Sequence, residues 1–258
     1  MASRLLFPRN IHDLRSRYSD PGFMRRWNEY QAADVQLWTD DFLGDTLNGT
    51  YQVSAATSGS NPAIDTGQAS GRVAFDAGSS DNGSSCLSLG LHYYGQFHCA
   101  MECKIQFSAV TSLKFEIGFT DVVAGTDDGA VSALATPTWT ADDAALWCFD
   151  TDDTAYPQLL GVKATAASAK VEPTVTISAS TYYSFGIEIV DTAIRGTIRN
   201  AAGALIYDSE RSNKTLLASA MTANTLLTPW VYVQNRSATQ RIGYMDYLEV
   251  VQYRATTL

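Results

Sequence analysis

Two carboxylates held roughly 5–10 Å apart can hydrolyse a glycan, one as acid and the other as base or nucleophile. On a single strand that calls for acidic residues at i and i+2, because a period of two returns the side chain to the same face. The nearest approaches are Glu188 with Asp191 and Asp246 with Glu249, both at i+3 and so expected on opposite faces. Glu102 and Glu116 read as single outward residues. A nucleophilic triad needs a histidine; only His12, His92 and His98 exist, and no Gly-x-Ser-x-Gly turn accompanies them. Phosphate-cradling glycine patterns are also missing, so nucleotide binding is unsupported. The expectation is a chain without catalytic residues, not an enzyme, and without a cofactor.

Weaker candidates remain. Asp150-Thr-Asp152-Asp153, with Asp127-Asp128 in the preceding loop, offers oxygen ligands for Ca²⁺, though nothing completes a calcium loop and a solvated acidic turn is the better account, so no metal is expected. Tyr93, Tyr94, Tyr182, Tyr183, Tyr232, Tyr244, Tyr247 and Trp230 could stack on a sugar or simply fill a core. Cys99 and Cys103 share one strand face about 13 Å apart, too far for a disulfide. With Cys86 and Cys148 they read as buried free thiols.

The elements that would position these groups are strands. Cys99, Met101, Cys103, Ile105 and Phe107 alternate with Ala100, Glu102, Lys104 and Gln106, the pattern of a half-buried strand. Leu113, Phe115, Ile117 and Phe119 repeat it, with Lys114 and Glu116 outside. Further strands are expected at 71–75, 85–92, 145–150, 158–163, 174–177, 182–190, 193–199, 204–208, 230–235 and 241–253. Asp191-Thr192 reads as a two-residue connection, and Asn200-Ala-Ala-Gly203 as a hairpin whose glycine is left-handed. Residues 54–70 and 121–143 read as long loops, with Trp139 expected to tuck back onto the core. A dozen strands with short turns predict an all-β, two-sheet antiparallel sandwich.

Charge divides the chain. Its net charge is −9, yet residues 1–30 hold Arg4, Arg9, Arg15, Arg17, Arg25 and Arg26 against three acids, a net of +3 that leaves −12 for the remainder. The acidic balance argues against nucleic acid as a partner. No stretch reaches the ~18 apolar residues of a membrane span, and the start lacks a signal-peptide core. Residues 1–36 read as an extended arm with one or two short helices, and 37–258 as the sandwich. The arm either docks on a larger assembly, with Arg25, Arg26 and Trp27 as the foremost contacts, or packs as a helix over its own β-domain.

The order of Trp38-Thr-Asp-Asp-Phe-Leu-Gly-Asp-Thr-Leu47, Phe115-Glu-Ile-Gly-Phe-Thr-Asp121, Trp147-Cys-Phe-Asp-Thr-Asp152, Tyr182-Tyr-Ser-Phe-Gly-Ile-Glu-Ile189 and Tyr244-Met-Asp-Tyr-Leu-Glu-Val-Val-Gln-Tyr-Arg254 resembles the concanavalin A-like (lectin/glucanase, laminin-G-like) jelly-roll domains of tailed-bacteriophage structural proteins. In enzymes of that superfamily the catalytic carboxylates sit on one strand of the concave sheet, and this sequence lacks them. The resemblance implies a non-enzymatic virion component, made in the host cytoplasm. A capsid decoration protein fits best, its arm on the major capsid protein or other virion proteins and its sandwich in a homo-oligomer, with a trimer as the guess. The alternative is a receptor-binding module of a phage tail or head fibre that holds a host glycan.

Overall fold

The computed structural model describes residues 35–68, 71–164, 169–190, 193–209, 216–217, 222 and 224–253. The arm expected over residues 1–36, with all six of its arginines and Trp27, falls outside them except for its last two residues. Those two open the first strand, β1 (Val35–Asp40).

Strands follow in chain order as β2 (Gln52–Ala56), β3 (Ala63–Ile64), β4 (Val73–Asp76), β5 (Ser84–Ser88) and β6 (Tyr93–Tyr94). Next come β7 (Cys99–Phe107), β8 (Leu113–Thr120), β9 (Val131–Ala133), β10 (Thr138–Trp139), β11 (Ala144–Asp150) and β12 (Gln158–Val162). The last are β13 (Ala169–Val171), β14 (Tyr183–Val190), β15 (Ala193–Arg199), β16 (Leu205–Asp208), β17 (Leu216–Leu217), β18 (Leu226–Asn235) and β19 (Ile242–Tyr253). Among the described residues there is no α-helix, only a single 3₁₀ turn at Gly95–Phe97.

Two antiparallel sheets stack face to face. The first runs β16-β15-β14-β7-β19-β4-β3, with β1 also pairing β19 and β17 pairing β15. The second runs β13-β12-β11-β8-β18-β5-β2, with β6 pairing β18. Between them lies the core that the alternation predicts: Cys99, Met101, Cys103, Ile105 and Phe107 from β7 meet Leu113, Phe115, Ile117 and Phe119 from β8. Phe115 is the hub, stacked on Phe107 at 4.6 Å between ring centroids and on Phe149 at 5.4 Å. Each such side chain contributes roughly 1.5–3 kcal/mol by leaving water.

Three expectations change. Three outer positions of β7 and β8 are not solvated: Glu102 is 6% exposed, Lys114 1% and Glu116 0%, whereas Lys104 and Gln106 stay half-buried. For β8 the reason is visible, because residues 121–143, with the β9–β10 hairpin, fold over that face and build a second apolar cluster with Leu146, Cys148, Leu160, Trp230 and Tyr232. Trp139 packs against this cluster as expected. Residues 174–177 are irregular, whereas the supposed loop at 54–70 contains the end of β2 and all of β3. The hairpin glycine is as predicted: Gly203 has φ +78°, and its N–H donates to the Asn200 carbonyl at 2.8 Å.

Candidate functional site

Four places in the structure bring polar side chains together. The first is the outer face of the second sheet. Strand register sets Cys148, Glu116, Tyr232, Cys86 and Ser54 in one row across β11, β8, β18, β5 and β2. Glu116 accepts from the Trp230 indole N–H at 2.9 Å and from the amides of Ala130 at 2.8 Å and Val131 at 3.0 Å, and it pairs with Lys114 at 3.1 Å. The Lys114 ammonium also donates to the carbonyls of Asp128, at 2.5 Å, and Val131. The Tyr232 hydroxyl donates to the Thr126 carbonyl at 2.7 Å. Gly129 makes this closure possible: its φ is +68°, and a Cβ there would lie 2.6 Å from Glu116 Oε1. The floor of this sheet is therefore occupied by the chain's own loop, and Glu116 is a tether for that loop.

The second place is the rim of that floor, where the calcium candidates lie. Asp150 is 1% exposed and is gripped by the Arg236 guanidinium, Nε to Oδ1 at 3.1 Å and Nη2 to Oδ2. The Asp152 side chain is 65% exposed, and Asp153 Oδ2 accepts the Leu134 amide at 2.7 Å. Asp127 Oδ1 accepts from the Thr57 hydroxyl at 2.8 Å. Asp150 and Asp152 share Arg236, the latter at 3.9 Å, while Asp153 and Asp127 face separate partners, and among the described residues no group of three or more His, Cys, Asp or Glu could hold a metal ion.

The third place was not legible along any one strand. On the outer face of the first sheet, Glu249 stands opposite Glu102 across β19 and β7, and Glu188 lies opposite Ala100 on the next strand. A bulge in β19 between Met245 and Tyr247 sends Asp246 to the same face as Glu249, overturning the expectation that i+3 separates them. Asp246 pairs with Lys104 at 2.5 Å. Arg195 bridges Glu188 at 3.5 Å and Asp208 at 2.7 Å. Burial holds the Glu249 carboxyl up to about 7, against a hydrogen bond from the Tyr247 hydroxyl that lowers it; the neighbouring charge of Glu102 raises it further. Paired carboxylates do exist in this fold, between strands.

The aromatic residues do not gather into a platform. Trp230, Tyr232, Tyr93 and Tyr183 are buried, the Arg72 guanidinium lies 3.9 Å from the Tyr244 ring centre, and the Lys104 ammonium lies 5.1 Å from that of Tyr182.

The fourth place is an open cleft of about 440 Å³ beside the β1–β2 connection, lined by Asp40, Leu43, Thr46, Asn48, Gly49 and Ile64 among others. Its size is that of a small-ligand site. Asp40 is fixed from two sides: Oδ1 accepts the Phe42 amide at 2.7 Å, and Oδ2 accepts the Tyr51 hydroxyl at 2.9 Å. Tyr51 in turn accepts the Trp38 indole N–H at 3.1 Å, and burial pushes its phenol well above the usual range. Phe42 holds a left-handed φ of 55°, and Gly71 packs so closely that a Cβ would meet the Phe42 carbonyl at 2.4 Å. A carboxylate has about four acceptor positions, so the two bonds leave Asp40 able to accept more. Asn48 Oδ1 accepts the Thr50 amide at 3.0 Å, leaving its NH₂ as a donor. Leu43, 67% exposed, supplies an apolar wall. A preset acceptor, a side-chain amide and an apolar wall suit a polyhydroxylated ligand. The sequence reading missed this cleft because its residues form no motif.

No protein-family model and no curated protein sequence matches the chain. Solved structures do match. A protein of unknown function from Shewanella oneidensis MR-1 has a TM-score of 0.60 at 15% identity, covering 93% of this chain and 96% of that one. The Emp47p carbohydrate recognition domain has a TM-score of 0.56 at 11% identity, covering 88% of this chain and 100% of that one. SCLam, a non-specific endo-beta-1,3(4)-glucanase from family GH16, has a TM-score of 0.55 at 10% identity, covering 87% of this chain and 94% of that one. The fold is the jelly-roll sandwich shared by concanavalin A-like lectins and these glucanases. The expectation that the chain is not an enzyme is thereby corrected: glucanases are among the structures it resembles, and its carboxylates do pair across strands. At these identities the likeness is one of fold.

Proposed function

We propose that the chain recognises a carbohydrate, and that the cleft around Asp40 is where it does so. The observation that carries this reading is the Asp40 carboxylate, oriented by Phe42 and Tyr51 with acceptor capacity left over, beside the Asn48 amide and the Leu43 wall. Sugar hydroxyls donate to such a carboxylate, and the apolar face of a pyranose covers such a wall. The company of lectin-like folds supports the same reading. The filled floor of the second sheet directs the ligand to this cleft at the edge. A glycan array probed with the full chain tests it: saturable binding to one glycan class supports the reading, and a blank array removes it.

A narrower reading makes this module a virion component that docks through its arm on the major capsid protein. Its support is the uneven charge, +3 over residues 1–30 against −12 elsewhere. Cosedimentation with particles lacking this component tests it, and binding that survives deletion of residues 1–36 would sink it.

A further inference from the structure

We propose that Asn48 is a site of spontaneous deamidation, at which the chain converts an amide of its own cleft to a carboxylate. The chemistry stands on the geometry of one turn, and only its consequence for a ligand rests on the carbohydrate reading.

An asparagine followed by glycine is the pair most open to this reaction, because glycine has no side chain to keep its nitrogen from the asparagine Cγ. Two such pairs occur, Asn48-Gly49-Thr50 and Asn82-Gly83-Ser84, with nearly the same neighbours. Their folded surroundings differ.

At the first pair both residues are exposed. The Gly49 amide has no acceptor among the described residues, and a Cβ on Gly49 would meet nothing within 4 Å. The nitrogen is therefore free to approach. The turn also activates its target. The Thr50 amide donates to Asn48 Oδ1 at 3.0 Å, and the Tyr51 amide donates to the Asn48 main-chain oxygen at 3.0 Å. A donor on Oδ1 sits where negative charge develops when a nucleophile adds to Cγ.

The second pair is held where attack cannot start. Gly83 is buried, and its amide donates to the Ser80 carbonyl at 3.1 Å. Its carbonyl accepts the Asn235 amide at 2.9 Å, and the Asn82 amide donates to the Asn235 carbonyl at 2.9 Å. A Cβ on Gly83 would lie 2.1 Å from the Ala77 carbonyl oxygen, so the backbone has no room to swing. Asn82 Oδ1 also has a donor, the Arg236 guanidinium at 3.1 Å. The glycine nitrogen, not the side-chain carbonyl, separates the two sites.

The reaction balances with water alone. The Gly49 nitrogen gives its proton to solvent and bonds to Asn48 Cγ; the Cγ–Nδ2 bond breaks, and the amide nitrogen takes up a proton and leaves as ammonia. Water then opens the cyclic imide at one of its two carbonyls, returning a hydrogen to the ring nitrogen and leaving aspartate or isoaspartate. Asn48 lines the cleft with Asp40, so the product sets a second carboxylate where an NH₂ donor stood.

Ageing the full chain in mildly alkaline buffer, with peptide mass spectrometry of both pairs, tests the proposal. In native protein, conversion at Asn48 should run at least about tenfold faster than at Asn82, and in urea the two rates should agree within about threefold. Gly49→Ala, placed where a Cβ has room, should slow Asn48 by about tenfold or more and leave Asn82 unchanged. Equal native rates at the two pairs would overturn the proposal. So would Asn48 protected about tenfold in native protein relative to urea, or conversion undiminished by Gly49→Ala. The readout is a change of mass and needs no ligand, so it is decided apart from the glycan array.

Discussion

Glu102 and Glu249 stand directly opposite each other across the β7–β19 ladder, both on the outer face and both buried. Residues in that relation have Cβ atoms about 4.5–5.5 Å apart, so two charges there repel strongly. The site responds by holding the Glu249 carboxyl up to about 7, chiefly through burial.

That shift makes stability depend on pH. Because the folded value lies above the ordinary 4.5, the native state holds the proton more tightly than the unfolded chain. The contribution is complete below about pH 4.5 and is lost as the pH rises through 7. Wild-type protein should lose up to about 3 kcal/mol between pH 5 and 8 from this group, and Glu249→Gln should flatten the profile. Urea denaturation at the two pH values checks it; an unchanged slope in the variant would reject the assignment.

The loop over the second sheet depends on Glu116. Replacing it with Ala leaves Lys114 buried without its carboxylate and should cost about 3–5 kcal/mol. Gly129→Ala forces a left-handed alanine against that carboxylate, at about 2–4 kcal/mol in all. In both variants the loop should become cleavable at Leu134 or Trp139 under native conditions, where wild type resists. Limited proteolysis with mass readout decides.

All four cysteines are free and buried, and burial pushes each thiol up. Ellman's reagent at pH 8 should therefore find no reactive thiol in the native chain and four after denaturation. Fast reaction of any one in the native state would contradict the packing of β5, β7 or β11.

The sandwich was readable because alternation is a local property: Cys99 to Phe107 and Leu113 to Phe119 announce their inner faces residue by residue. What covers an outer face is not local. Lys114 and Glu116 look like solvated residues until residues 121–143 close over them, and nothing in those loop residues says where they fold. Pairing across strands is equally hidden, since Glu102 and Glu249 meet only through register, and the bulge at Met245 undoes the i+3 rule for Asp246. The Asp40 cleft depends on Gly71 and Phe42, far apart in sequence, so no spacing marks it.

Carbohydrate recognition at Asp40 is tested most directly by comparing wild type with Asp40→Asn against the glycan class that an array identifies. The substitution can keep the oxygen that accepts the Phe42 amide, and it replaces the oxygen that accepts the Tyr51 hydroxyl with an NH₂ donor, so the charge and one acceptor are removed together. Binding should weaken by about tenfold or more, equivalent to about 1.4 kcal/mol or more, with the melting temperature held within a few degrees. Equal binding by both proteins, or no glycan bound by either, would contradict the account.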